Sequence, residues 1–348
     1  MNNNKTINFQ PNTELSITGV GTSASPAWNF PSSATNLTAD FSTLTIKFTN
    51  ASTSTLYFEG GNRTYNTVWF NRDKSDFTAT GTIIVRGSNT FTTLQDGNLY
   101  DADGSLSTSY NIAAHTLAFA DGSTQNVQNF LVSGLSGRKI TLDNEGTGTT
   151  NFTLVNTNTA NDVFCYYLTI QNSTVSPYET TPDIVYHWTA KASTAGTGAN
   201  IGWLILDDRF WIGAVADSNG NYLWNNAANW ALSPTGSGAG AGAPTSASNA
   251  YFTSNFSNPI TFTSGFKCYD LDCDNPLYGT YQGQFLGNFG TGVGAFTTNG
   301  SIRLCPNLIP SDSTGLTGQY WTMTGVNGQT IYINFNGAIT KMTLLVGY

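Results

Sequence analysis

The sequence predicts an all-β protein: a parallel β-helix, or β-solenoid, in two modules. Three observations carry that expectation. First, only 10% of the 348 residues are charged, while 39% are hydrophobic and 13% aromatic. An ordinary soluble domain has about 25% charged residues, and a disordered chain lacks the aromatics. This chain can therefore bury a core, and its polar surface is made of Asn, Thr, Ser and Gly. Second, short runs alternate polar and apolar residues and end at Gly, Asn, Asp or Ser, the pattern of strands closed by turns. No amphipathic helix of three turns is visible. Third, two of the runs echo each other. Thr64-Tyr65-Asn66-Thr67-Val68 returns as Thr90-Phe91-Thr92-Thr93-Leu94, 26 residues on, each after a Gly/Asn turn. Periods of roughly 20 to 50 residues mark repeat architectures. A β-sandwich is the alternative, since it also uses short strands with frequent turns.

Taken in order, the strand-like runs are KTINF, TELSITG, STLTIKFTN, STLYFEGG, TYNTVWF, GTIIVRG and NTFTTLQ. HTLAFA follows, with Leu117 placed 26 residues beyond Phe91 as the next echo. NVQNFLVSG, KITLDNEG, NFTLVN and CYYLTIQNS come after it at looser spacing. Stacked parallel coils set like residues on like and satisfy the backbone from coil to coil, so a chain poor in charge needs few ion pairs. Both chain ends read as if cut from longer patterns, and an open end is expected to serve as an assembly surface by strand addition.

The middle of the chain reads as a junction. RFWIGAVADSNGNYLWNNAANW and the Gly/Ala/Ser run from Gly236 begin a second module, so the first spans residues 1–206 and the second 207–348. Trp203, Trp211, Trp224 and Trp230 are expected to cap the apolar ends of the stacks. The Gly/Ala/Ser run is expected to be flexible loop backbone.

Several motifs carry a resemblance. Tyr167-Leu168-Thr169-Ile170-Gln171-Asn172-Ser173, His187-Trp188-Thr189-Ala190 and Asn200-Ile201-Gly202-Trp203-Leu204-Ile205 resemble the closing coil (YLDIKDS, then WYA, then NxGW) of a repetitive β-helix family abundant in phage sequences. GGNRTYNTVWF and GSNTFTTL resemble its GGKTFNNLTF and GSNTFNTL coils. Phe210-Trp211-Ile212-Gly213, Trp224-Asn225, Ala228-Asn229-Trp230, Ala243-Pro244-Thr245-Ser246-Ala247 and Tyr251-Phe252 resemble the start of a new β-helix there. The departures are Ala214-Val215 where the family has Gly-Gly, Ser248 or Asn249 where it has an acid, and a longer insert before His187. The resemblance covers about two thirds of the chain. It implies a phage virion component: a tail fibre, tail-tip or other adhesion part.

The net charge of −8 and the absence of a basic stripe argue against nucleic acid and anionic membranes as partners. Other virion proteins and host-surface glycans or proteins are the partners expected, and a homo-oligomer is compatible. No apolar leader and no membrane-length apolar run is seen, and no cofactor is expected. The four cysteines are read as buried free thiols.

Chemistry would need carboxylates in pairs, roughly 5 to 10 Å apart for glycoside hydrolysis. Asp270, Asp272 and Asp274 alternate in CYDLDCD, so one regular strand would set them on one face, where a hard cation could bind. The same run resembles the family's structural CxxLDFS strand. Asp101, Asp103 and Gly104 form half of a calcium loop and read as a turn. Asp207-Asp208 beside Arg209 reads as a solvated junction, and His115 and His187 as structural histidines. Tyr65, Trp69, Phe70, Phe91, Tyr166 and Tyr167 either stack in the core or line a sugar-binding groove. The function expected is structural and adhesive, in a virion. A polysaccharide-degrading tailspike enzyme is the alternative, and a bacterial surface adhesin the second, needing a signal or anchor.

Overall fold

The computed structural model describes residues 5–30, 37–50, 52–72, 81–100, 106–110, 112–146, 148, 150–179, 185–262, 267–275, 278–283 and 285–287, with strands at 296–298, 302–304, 321–323 and 331–333. The described residues form short strands and one 3-10 turn, Ala227–Asn229. The protein is all-β, and its strands pair mostly in parallel. The chain divides into two compact units, Met1–Ile205 and Leu206–Tyr348.

The first unit holds three parallel sheets. One runs Lys5–Asn8, Leu37–Phe48, Thr64–Phe70, Thr90–Gly97, Thr124–Ser133, Phe152–Asn156, Ser173–Ser176 and Asn200–Ile201, with Glu14–Ile17 also on Leu37–Phe48. A second runs Trp28–Asn29, Leu56–Glu59, Ile83–Arg86, His115–Phe119, Ile140–Asn144, Leu168–Ile170 and Thr194–Ala195. A third joins Val163–Tyr166, Trp188–Lys191 and Trp203–Ile205. From Leu56 onward the chain passes from the second sheet to the first and back. Beyond Phe152 each pass also visits the third sheet.

Register explains the echo in the sequence. Thr64 lies on Thr90, Tyr65 on Phe91 and Val68 on Leu94, so the 26-residue echo is one strand laid on the next. The expected third echo does not hold. Phe91 is followed by Val127, and Leu117 answers Ile83 in the other sheet. The excursion between Gly97 and His115 lengthens that pass and breaks the spacing.

Alternation sorts side chains across each strand. Phe41, Tyr65, Phe91 and Val127 form one inward column; Ile46, Val68, Leu94 and Phe130 form another. The rings of Phe41 and Tyr65 stack at 5.0 Å, and those of Tyr65 and Phe91 at 5.7 Å. Such pairs add about 0.5–1.5 kcal/mol each beyond area burial. The buried Tyr65 hydroxyl donates to Gly60 O (2.8 Å) and accepts from Trp28 Nε1 (3.1 Å), so it costs little to enclose. Corners are stitched by amides. Gln125 Oε1 accepts from the backbone and side chain of Asn89, both at 3.2 Å, while Gln125 Nε2 donates to Gly87 O at 2.8 Å.

The second unit has its own core of Trp211, Trp224, Trp230, Phe252, Ile260, Leu271 and Tyr281 with Cys268 and Cys273. Its main sheet runs Trp230–Ala231, Asp207–Trp211, Ser248–Tyr251, Leu271–Asp272, Ile302–Leu304 and Ile331–Ile333. The Gly/Ala/Ser run proves to be a turn-rich loop inside this unit rather than a flexible connector. Gly240 and Ala241 both donate to Trp230 O (2.9 and 3.2 Å), and Gly236, Gly238, Gly240 and Gly242 all take positive φ. Small residues are needed because the chain turns repeatedly through the left-handed region.

Candidate binding surface

The strand Thr64–Phe70 turns Tyr65, Val68 and Phe70 inward and leaves Trp69 half-buried on the outer face. Its register neighbours are Lys47 on one side and Gln95 on the other. Lys47 Nζ stands 4.0 Å from the Trp69 ring centre. Tyr110 meets the indole edge-on at 5.5 Å. The adjacent outward column is Thr45, Thr67, Thr93 and Asn129, one hydroxyl or amide per strand. An aromatic face beside a ladder of neutral donors and acceptors is chemistry suited to hydroxyl-rich, uncharged ligands.

Tyr110 reaches Trp69 because an excursion leaves the first sheet after Gly97 and rejoins the second at His115. Gly97 has φ +81°, and a Cβ there would lie 2.1 Å from Ser133 O, so the exit requires glycine. Asn98 anchors it: its N–H donates to Ser133 O (2.8 Å), its Nδ2 to Gly134 O (3.1 Å), and its Oδ1 accepts from the Tyr110 N–H (2.6 Å). The short strands Leu99–Tyr100 and Leu106–Thr108 pair antiparallel within it. Tyr100 stacks on Tyr166 at 4.5 Å, lies 5.9 Å from Tyr167, and donates to Gly134 O at 3.1 Å. The excursion thus places aromatic pairs at two points along the stack.

The six aromatics weighed from the sequence separate accordingly. Tyr65, Phe70 and Phe91 are core and cannot line a groove; Tyr166 is buried under Tyr100. Trp69 and Tyr167 are partly exposed. Nothing in the local pattern marked Tyr100 or Tyr110, which depend on the excursion for their positions.

A second feature sits at the roots of the excursion. In the column Phe48, Phe70, Asp96, Val132, a carboxylate occupies a core position. His115 Nε2 lies 2.8 Å from Asp96 Oδ2, and His115 Nδ1 lies 2.9 Å from Ala113 O; both side chains are fully enclosed. Arg72, also buried, donates to the carbonyls of Asn50 (3.0 Å), Gly81 (2.6 Å), Ser52 and Ser54. His115 was expected as a lone structural histidine; it is one half of a buried pair. The sequence did hold a signal: the echo aligns Asp96 with Phe70, a charge where the repeat wants an aromatic.

Asp270 and Asp272 keep to one side of the run, with Leu271 and Cys273 buried on the other, while Asp274 begins a separate ribbon. The run is divided among three sheets: Lys267–Cys268 in one, Leu271–Asp272 in the main sheet, and Asp274–Asn275 in a ribbon with Gly279–Thr280. Strand pairing changes after Asp272, so the three aspartates do not lie on one regular strand. Asp272 Oδ2 accepts from Asn275 Nδ2 at 2.7 Å, and the Asp274 side chain lies outside the described residues. Burial and the charges of Asp208, Asp270 and Asp272, together with Tyr278, push the Tyr251 hydroxyl well above its ordinary value. Among the described residues no three His, Cys, Asp or Glu side chains form a metal-binding group.

The pair Asp207-Asp208 is built into the sheet rather than simply solvated. Asp207 Oδ2 lies 2.6 Å from Arg209 Nη2, and Asp208 Oδ1 accepts from Asn249 Nδ2 at 2.9 Å. Trp203 packs edge-on against Trp188 at 5.3 Å in the first unit and donates to Ser173 Oγ at 2.9 Å. Trp211, Trp224 and Trp230 form a mutual cluster in the second, with Trp230 Nε1 donating to Trp224 O at 2.6 Å. His187 Nδ1 lies 2.9 Å from Asp162 Oδ1 at the surface. Cys165 and Cys268 are buried free thiols and Cys273 is buried; Cys305, Asp101, Asp103 and Gly104 lie outside the described residues. Burial pushes the Cys165 and Cys268 thiols up, so they are unreactive at neutral pH.

No protein-family model, curated protein or solved structure matches the chain. Fold and surface define an all-β protein of parallel sheets with an outward aromatic and hydroxyl face. Among the described residues no helix is long and apolar enough to cross a membrane.

Proposed function

We propose that this chain is a non-enzymatic structural protein of a bacteriophage particle, a tail-fibre or tail-tip component made of two parallel β-helix modules. It attaches to host-surface glycan through the Trp69–Tyr110 face, assembles with other virion proteins, and resides in the virion. The observation that carries this reading is the outward pair Lys47 and Trp69 beside Thr45, Thr67, Thr93 and Asn129, with Tyr110 brought onto the indole. The winding between parallel sheets supports a β-helix over a sandwich, whose strands are typically antiparallel. The motif resemblance supports the phage setting.

The test is adsorption of the purified chain to whole bacterial cells and their extracted surface polysaccharides, with new reducing ends measured in the same samples. Saturable adsorption without new reducing ends is the expected result. Release of reducing ends would replace this reading with the tailspike enzyme. The first substitutions would then be at Asp208, Asp270 and Asp272, whose charges converge on Tyr251.

A further inference from the structure

We infer that Asp96 and His115 form a proton-dependent latch that ties the end of the strand Thr90–Gly97 to the start of His115–Phe119, and so steadies the described residues 98–100 and 106–110 between them. The Ala113 carbonyl can only accept, so His115 Nδ1, 2.9 Å away, carries a proton. Nε2 then faces Asp96 Oδ2 at 2.8 Å. If that imidazole were neutral and that carboxylate ionised, two lone pairs would oppose each other. One proton must therefore lie between them, whichever atom holds it.

Among the described residues, the register neighbours offer no substitute for that proton: Asp96 lies between Phe70 and Val132, and His115 beside Ile140. Two other groups act electrostatically on His115: Asp96 and Arg72, and the Arg72 guanidinium is occupied by backbone carbonyls. Removing the proton sets two lone pairs against each other in an enclosed site, where such a contact is costly. Separation of the two side chains relieves it. Because Asp96 precedes residues 98–100 and His115 follows residues 106–110, separation loosens those described residues, which carry Tyr100 and Tyr110. The latch is independent of what the aromatic face binds.

The linkage has a definite sign. Burial disfavours the imidazolium, but the Asp96 charge, the Asp96 hydrogen bond and the Ala113 hydrogen bond outweigh it, against a smaller opposing effect of Arg72, so His115 is held above its ordinary value. The contribution is complete below about pH 6.5, the value of a histidine in an unfolded chain, and is lost as pH rises through the folded value. Within that window the unfolding constant rises about tenfold per pH unit from this one proton.

The protein has two histidines, which makes a direct test practical. Imidazole proton and nitrogen resonances would be followed from about pH 5 to about pH 10, with His115→Gln for assignment. Backbone amide protection at residues 98–100 and 106–110 would be measured over the same range. The latch predicts a downfield proton shared by His115 and Asp96 at neutral pH. Its loss at higher pH should coincide with at least about a tenfold fall in protection of the excursion, while Thr64–Phe70 keeps its protection. In Asp96→Asn, whose side chain can satisfy a neutral histidine, protection should no longer depend on pH beyond intrinsic exchange. A missing shared proton at neutral pH would overturn the inference, as would excursion protection independent of pH in the native chain. If Asp96→Asn does not fold, the native-chain measurements decide alone.

Discussion

At the scale of single residues, the strongest constraints are steric and polar. Gly97 has positive φ and no room for a Cβ beside Ser133 O. Gly97→Ala should destabilise the first unit by about 2–4 kcal/mol, combining left-handed strain with the clash; urea denaturation would measure it. Tyr65→Ala should cost about 3–5 kcal/mol, since it removes an enclosed ring and leaves Trp28 Nε1 without its acceptor. Trp69→Ala should behave differently. The ring is outward, so the unfolding midpoint should barely move while adsorption to cells is lost.

At the scale of strands, alternation makes a sharper prediction. Val68 and Thr67 are adjacent but face opposite ways. Val68→Asp should abolish cooperative unfolding of the unit, because it buries a charge with no partner. Thr67→Asp should stay within about 0.5 kcal/mol. Circular dichroism melts distinguish the two. This alternation, and the stacking of Thr64-Tyr65 on Thr90-Phe91, were legible in the sequence because period and composition are local properties. The extra length between Gly97 and His115 leaves no periodic mark, so a fixed 26-residue spacing puts Leu117 in the wrong column. The pairing of Asp96 with His115 was missed for the same reason, since it is made by register across 19 residues. In the second unit, the alternation of CYDLDCD holds from Asp270 to Cys273, but the run is not one strand: Cys268, Leu271 and Asp274 belong to three different sheets.

At the scale of the whole molecule, each unit has its own apolar cluster: Trp28 through Trp203 in one, Trp211 through Tyr281 in the other. A fragment of residues 1–205 should keep its sheet spectrum and melt cooperatively. The attachment account rests on the outward face of that unit and is tested most directly by calorimetric titration. The intact chain and Trp69→Ala would be titrated with surface polysaccharide from a bacterium to which the chain adsorbs, with reducing ends assayed afterward. The account predicts binding by the intact chain, binding weaker by at least about tenfold for Trp69→Ala, and no new reducing ends from either. Equal binding by the two proteins, or polysaccharide cleavage, would contradict it.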